Sequence, residues 1–151
     1  MTLNDIIYVL MTSLLPVIEI RGALPLALAL DMPAAFAFTL CVIGNMLPIP
    51  FLILLTRKIL NWMKTLKFFG PIAKKIEAKG LKNSKGAKKL SFWGLLILVA
   101  IPLPGTGAWT GALVASLLNM RLKDSLPAIF FGVCTAGTIV LLVSLGIIHL
   151  L

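Results

Sequence analysis

Two long uninterrupted apolar segments constrain the fold of this chain more than any other feature. Residues 32–56 and 125–151 each run for about 25 residues without a permanently charged side chain. The hydrocarbon core of a bilayer is about 30 Å thick, and a helix that crosses it needs roughly 20 apolar residues. Hydrophobic residues make up 60% of the 151 residues, more than a soluble core of this size could hide. We therefore predict an all-α integral membrane protein in which both segments are transmembrane helices.

Basic residues are concentrated in one block between the two apolar halves. Of the 14 lysines and arginines, eleven lie in this block: Arg57, Lys58, Lys64, Lys67, Lys74, Lys75, Lys79, Lys82, Lys85, Lys88 and Lys89. Such a block can bind nucleic acid, but between uncharged apolar runs it is typical of the cytoplasmic side of a membrane protein. We predict a basic amphipathic linker over residues 57–91, on the cytoplasmic face of the cell inner membrane. We expect it to contact membrane lipids and no nucleic acid.

Two further apolar stretches are interrupted before they are long enough to cross a bilayer. Residues 6–18 are followed by Glu19 and Arg21, and residues 92–101 by a segment rich in proline and glycine. A continuous helix through either interruption would be costly, because proline lacks a backbone donor and glycine weakens a helix. Each stretch either crosses as a kinked helix, giving four crossings, or turns back as a re-entrant hairpin, giving two crossings. The basic residues within 119–124 favour the hairpins, which place them in the cytoplasm.

The hairpin arrangement agrees with a repeat in the layout of the chain. Residues 1–56 and 92–151 each contain a broken stretch followed by one full-length helix, and an offset of about 88 residues places Met32 on Met120. Because one full helix separates the hairpins, they would enter the membrane from opposite sides. We predict a single membrane domain of two inverted repeats, each a re-entrant helical hairpin followed by one transmembrane helix.

Glu19 and Arg21 are the sharpest candidates for function. A charge at membrane depth costs at least about 2.5 kcal/mol on insertion scales, so such residues are usually kept for a function or for a specific pairing. On a continuous helix, residues i and i+2 point about 200° apart, so an ion pair between them also requires a broken helix. Glu19 can carry a proton, and Arg21 can act as a fixed anion-binding fork. Gly22 and Pro25 belong to the same interruption and join the candidate binding residues.

The second interruption, residues 102–111, carries no charge. Its binding groups are backbone amides, two threonine hydroxyls and the positive end of the half-helix that follows, which suit a phosphate or a carboxylate. The candidate substrate-binding or proton-binding residues here are Pro104, Gly105, Thr106, Gly107 and Thr110. Gly107, Gly111 and Ala115 are spaced by four, so they can equally form a close-packing stripe.

Asn45 lies at membrane depth in the first long segment. Its amide either bonds another helix or lines the site, and the sequence does not favour one of these. Cys41 and Cys134 have no histidine or carboxylate nearby, so we expect packing residues rather than ligands or a disulfide. The chain has no Ser/His/Asp set, metal-ligand cluster or nucleotide-binding loop. We therefore expect no enzymatic activity, no catalytic residue, no metal and no cofactor.

Two motifs together give the chain a family resemblance. Residues 19–25 read Glu-Ile-Arg-Gly-Ala-Leu-Pro, and residues 102–111 read Pro-Leu-Pro-Gly-Thr-Gly-Ala-Trp-Thr-Gly. In a chain of this size they resemble the bacterial and archaeal putative small multidrug export proteins, over essentially the whole length. That family is similar to the DedA superfamily, which implies two opposed re-entrant hairpins and proton-coupled transport of polyprenyl phosphate lipids. By this resemblance Glu19 and Arg21 match the charged residues of the first hairpin, and residues 104–105 match the proline-glycine of the second. Around that second motif, this chain lacks the arginines of the DedA pattern.

These observations lead to two functional hypotheses of different classes. The first is a membrane transporter, with proton coupling, for an anionic or amphipathic substrate such as a lipid phosphate or a drug. The second is a non-transporting membrane protein that organises lipids or assists membrane assembly. A bundle with so few membrane crossings is too small to enclose a substrate pathway. We therefore also expect a homodimer or a larger assembly.

Overall fold

The structure, a computed structural model, describes residues 2–64, 85–103 and 105–150. In these residues it contains seven helices: α1 (Leu3–Leu14), α2 (Glu19–Ala29), α3 (Ala34–Met46), α4 (Ile49–Lys64), α5 (Lys85–Ala100), α6 (Ala108–Leu117) and α7 (Leu122–Leu150). The all-α prediction is confirmed for this part of the chain. Most of the predicted linker, residues 65–84, lies outside the described residues.

Two helical segments of the described chain are long and apolar enough to cross a membrane. One is Ala34–Trp62, which α3 and α4 form together, and the other is Leu122–Gly146 in α7. α3 ends at Met46 and α4 begins at Ile49, and the break falls at Pro48, which has no N–H to donate to a helix. Both spans coincide with the long apolar segments of the sequence.

The two broken stretches form short helices. α1, α2 and α6 contain 12, 11 and 10 residues. At 1.5 Å per residue none is longer than about 18 Å, so none crosses a bilayer core alone. The second break, between α5 and α6, falls at the predicted interruption. The first break lies at residues 15–18, just before the predicted interruption, where Pro16 has no N–H to donate to a helix; Glu19, Arg21, Gly22 and Pro25 themselves belong to helix α2. Between α5 and α6, Gly105 and Gly107 have φ of 83° and 144°, a conformation that glycine adopts without steric cost.

The turns that follow α2 and α6 are built alike. Asp31 and Asn119 have φ of 57° and 51°, the left-handed conformation that short polar residues tolerate at the end of a helix. Two backbone hydrogen bonds close each turn. In the first turn, the Met32 N–H donates to the Ala27 carbonyl (3.1 Å) and the Asp31 N–H to the Leu28 carbonyl (3.1 Å). In the second, the Met120 N–H donates to the Ala115 carbonyl (3.0 Å) and the Asn119 N–H to the Ser116 carbonyl (3.1 Å). The offset that aligns Met32 with Met120 therefore also aligns these bonds.

Small residues allow the helices to approach closely. α2 packs on α1, α3 and α7, while α6 packs on α4, α5 and α7. Gly132 of α7 lies against Val99 and the Leu96 carbonyl of α5, and Gly44 of α3 lies against Ser13 of α1. Apolar side chains gain little from leaving lipid for protein, so close contact between backbones is a main source of attraction between membrane helices.

Other small residues pack as the sequence suggested. Gly111 lies against Val99, and Ala115 is fully buried, so this part of the predicted stripe is in close contact with its neighbours. Cys41 is buried and Cys134 half-buried, and both are free thiols.

Large apolar side chains cover the outside of the helices. Leu3, Phe51 and Leu142 are 72%, 72% and 67% exposed. Exposed apolar surface on this scale would drive a soluble protein to associate, whereas lipid tails cover it without cost.

The close approach of α7 to α5 predicts the effect of one added methyl group. In Gly132→Ala the new Cβ would lie 2.6 Å from Val99 Cβ and 3.0 Å from the Leu96 carbonyl oxygen. We expect a destabilisation of about 1–3 kcal/mol, although alanine favours a helix over glycine by roughly 1 kcal/mol. The Tm in detergent should fall.

Gly146→Ala is the matched control in the same helix, because nothing lies within 4 Å of the added Cβ. Its Tm should stay unchanged or rise. Equal Tm values for the two variants would contradict the close packing of α5 on α7.

Candidate functional site

A cleft of about 440 Å³ opens where the two interruptions of the chain meet. It is lined by Pro16, Val17, Ile18, Glu19, Arg21 and Gly22 from the first interruption, and by Pro102, Gly105, Thr106 and Thr110 from the second. The sequence had singled out six of these residues: Glu19, Arg21, Gly22, Gly105, Thr106 and Thr110.

Arg21 bonds the chain that follows α5. Its Nη1 donates to the Leu103 carbonyl, and its Nη2 donates to the Ile101 carbonyl (3.1 Å) and to Thr106 Oγ1 (2.9 Å). The last carbonyls of a helix have no partner within the helix and carry partial negative charge. A planar guanidinium can bind several of them at once, so Arg21 of the first half closes the broken backbone of the second.

The two threonines of the cleft bond their own loop. Thr106 Oγ1 lies 2.7 Å from the Ile101 carbonyl oxygen and 2.9 Å from that of Leu103, and Thr110 Oγ1 donates to the Gly105 carbonyl (2.9 Å). These hydroxyls therefore hold the turn between α5 and α6 in shape. In this conformation they are engaged by the protein rather than offered to the cleft.

Glu19 is buried at the first turn of α6, with 4% of its surface exposed. Its Oε1 accepts a hydrogen bond from the Trp109 N–H (3.2 Å). The N-cap residue of α6 is Gly107, which has no side chain to bond the free N–H groups of that turn. A carboxylate from α2 therefore caps α6, where the helix dipole favours negative charge.

Gly107 makes room for this carboxylate. A Cβ at this position would overlap the Glu19 carboxylate group. The N-cap position is thus a glycine for two reasons. Its φ of 144° is one that glycine adopts without steric cost, and the Glu19 carboxylate occupies the space that a Cβ would take.

Trp109 completes the contact between the interruptions, and the sequence analysis missed it. Its indole Nε1 donates to the Leu14 carbonyl (3.2 Å), the last residue of α1. The arrangement is reciprocal: Arg21 bonds carbonyls after α5, and Trp109 bonds the last carbonyl of α1. The offset of 88 residues that aligns Met32 with Met120 also aligns Arg21 with Trp109, and this was the available signal.

Glu19 and Arg21 do not form an ion pair with each other. Glu19 has φ of 50°, which costs a residue other than glycine roughly 1–2 kcal/mol. This turn at the start of α2 directs the two side chains to different partners, with Glu19 at the beginning of α6 and Arg21 at the end of α5. Each charge therefore stabilises one end of a helix in the opposite half.

Three of the remaining predicted site residues, Pro25, Asn45 and Gly107, are described and do not line the cleft. Pro25 lies farther along α2, and Asn45 is fully buried in α3 with neither of its amide atoms hydrogen-bonded. Pro104 lies outside the described residues. Among the residues that are described, no group of three or more His, Cys, Asp or Glu side chains could hold a metal ion.

Comparison with known proteins identifies one family. Residues 19–139 match the model of the family described as Putative small multi-drug export protein. This range contains all ten candidate residues of the sequence analysis. No curated protein and no solved structure matches the chain significantly. Together with the two apolar spans, the family match identifies a membrane protein.

The contact between Glu19 and Gly107 predicts a non-additive pair of substitutions. The added Cβ in Gly107→Ala would lie 2.7 Å from the Glu19 carboxyl carbon, so we expect a clear fall in Tm in detergent. Gly105→Ala is the control, because it also places a side chain at a left-handed φ but meets nothing within 4 Å. It should lower the Tm less.

Removing the carboxylate should relieve the collision. We expect Gly107→Ala combined with Glu19→Ala to cost less than the sum of the single changes, with an interaction of about 1 kcal/mol or more. Strictly additive effects would show that the carboxylate does not occupy this position.

Proposed function

Because the chain belongs to the small multi-drug export protein family, we propose that it is a membrane transporter for an anionic or amphipathic substrate, with Glu19 as the proton carrier. The family name assigns multi-drug export to its members but no specific substrate. The observation that carries the proposal is the cleft between the two interruptions, which brings one acidic and one basic side chain together at a break in both halves. Similarity to the DedA superfamily stays a prediction.

We propose that the two halves are inverted repeats of a re-entrant hairpin and a transmembrane helix. Three observations support this: α1 and α2 are too short to cross alone, they pack against each other, and matching turns follow α2 and α6. The cross-bonding of the interruptions also supports it, since irregular backbone at membrane depth needs partners within the protein. Under this proposal the protein lies in the inner membrane, and residues 57–91 are on its cytoplasmic side.

Arg21 is the proposed anion-binding group. A guanidinium has five N–H donors, and the three observed bonds leave others available. Its Nε is buried and has no hydrogen-bond partner, which is costly for a charged group. A phosphate or carboxylate in the cleft would reach this buried donor only when the surrounding side chains move, as a transport cycle requires.

Glu19 is the proposed coupling group because its contact spans the two halves. An ionised carboxylate is a strong acceptor for the first N–H groups of α6, and a protonated one is weaker. Proton uptake would therefore loosen α6 from α2, and proton release would restore the contact. This links the charge of one residue to the relative position of the halves.

A non-transporting role is the second candidate, and one observation favours it. In the described residues most polar groups of the cleft bond each other, as expected of a clasp that only holds the fold. The two candidates differ in what loss of the Glu19 charge does: flux stops in a transporter, whereas only stability falls in a clasp. In either case we propose a homodimer or a larger assembly among membrane lipids.

Glu19→Gln separates these candidates, because glutamine keeps an oxygen that accepts a hydrogen bond from the Trp109 N–H but cannot take up and release a proton. In proteoliposomes containing internal pyranine, addition of hexyl phosphate should move protons with wild-type protein and not with Glu19→Gln. Asp31→Asn is the control. It also removes a carboxylate, it lies outside the cleft, and asparagine stands at the equivalent position 119.

We expect Asp31→Asn to retain flux. We expect Glu19→Gln to stay folded, with its free energy of unfolding changed by less than about 1 kcal/mol. Wild-type flux in Glu19→Gln would exclude this residue as the proton carrier. Wild-type vesicles that behave like empty ones, with a lowered Tm in Glu19→Gln, would favour the clasp.

The hairpin arrangement predicts the sidedness of two acidic residues. In a background with Cys41→Ala and Cys134→Ala, Asp5→Cys and Asp124→Cys are labelled from either side of intact cells with a membrane-impermeant maleimide. Two hairpins place Asp5→Cys outside and Asp124→Cys inside. Four full crossings reverse both results and would disprove the hairpins.

A further inference from the structure

A second and larger depression lies on the outer face of α4 and shares no lining residue with the cleft. It measures about 590 Å³ and is lined by Pro48, Phe51, Leu52, Leu54, Leu55 and Lys58 of the first span and by Trp109 of α6. All of these side chains except Lys58 are predominantly apolar. We refer to this depression as the α4 groove.

The length of the α4 groove matches one leaflet of a bilayer. From Pro48 to Lys58 the helix rises about 15 Å, at 1.5 Å per residue. This is half of the hydrocarbon thickness of about 30 Å. A single acyl chain, which occupies one leaflet, therefore fits its length.

The charged end of the groove lies at the membrane boundary. Lys58 precedes the end of the first span, Trp62, by four residues, or about 6 Å along a helix. Such a position lies at headgroup depth, and in the sequence it is followed by the lysine-rich residues 64–89. Throughout the described residues, Lys58 makes no ion pair, whereas the neighbouring Arg57 donates to the Met120 carbonyl.

We propose that the α4 groove binds an anionic phospholipid, with its phosphate on Lys58 and one acyl chain along Phe51, Leu54 and Leu55. A zwitterionic lipid would fill the apolar part equally well but would gain less from the positive charge of Lys58. The site does not depend on the proposed transport function, since it uses neither Glu19 nor Arg21.

Trp109 connects this lipid to the cleft. Its ring forms part of the groove wall, while its N–H and its Nε1 bond Glu19 and the Leu14 carbonyl. A lipid chain in the groove therefore packs against the residue that joins the two interruptions. Trp109 also provides a fluorescent reporter inside the site itself.

The test uses brominated lipids, which quench tryptophan on contact. Trp62→Phe and Trp93→Phe leave Trp109 as the only tryptophan, and the protein is reconstituted with a minor fraction of chain-brominated phosphatidylglycerol or phosphatidylcholine. We expect the anionic lipid to quench Trp109 at a bulk fraction lower by about fivefold, the preference that one lysine near an anionic headgroup supplies. Lys58→Gln should abolish this preference and leave quenching by phosphatidylcholine unchanged.

Lys123→Gln is the matched control, because Lys123 is an exposed lysine at the start of α7 and does not line the groove. It should retain the preference for phosphatidylglycerol. Equal quenching by the two lipids in the wild-type background, or an unchanged preference in Lys58→Gln, would overturn the proposal. A third outcome would also overturn the proposal: neither lipid quenches Trp109 until the protein is diluted in the bilayer. That result would indicate that a second copy of the chain occupies the groove.

Discussion

The structure depends on one requirement: backbone groups at a helix end within a membrane need hydrogen-bond partners from the protein. Each broken stretch leaves carbonyls at the end of one helix and N–H groups at the start of the next. In water solvent would satisfy them, but in hydrocarbon each unsatisfied group costs several kcal/mol. Here the partners come from the opposite half of the chain, through Arg21, Glu19 and Trp109.

This exchange of partners explains why charge is placed at such a depth. Glu19 lies at the positive end of α6, and Arg21 lies at the negative end of α5. Both side chains are thus in favourable fields without touching each other. The same placement joins the two interruptions by a few polar bonds, while α2 packs on α7 and α6 packs on α4. Such a joint can hold a fold, and it can also change with the charge of one carboxyl group.

Much of the fold could be predicted from the sequence because it follows from local chemistry. The two spans follow from apolar length, the breaks from proline and glycine, and the matching turns at Asp31 and Asn119 from the layout of the halves. The partners across the cleft could not be predicted in this way, because they join residues 80 or more positions apart. Trp109 was missed because an indole in an apolar segment looks like a packing residue. Asn45 was included because any amide at this depth is notable, yet it lies away from the cleft.

The contact between Glu19 and Gly107 bears on how such a chain could arise by gene duplication. These two residues are equivalent under the 88-residue offset, and they lie against each other, so they flank the axis that would relate the two halves. An ancestral pair of identical chains would place either two glutamates there, which would overlap and repel, or two glycines, which would leave both helix starts uncapped. If the halves descend from one ancestral sequence, this arrangement requires them to differ, and a single chain that contains both halves fixes that difference in every molecule.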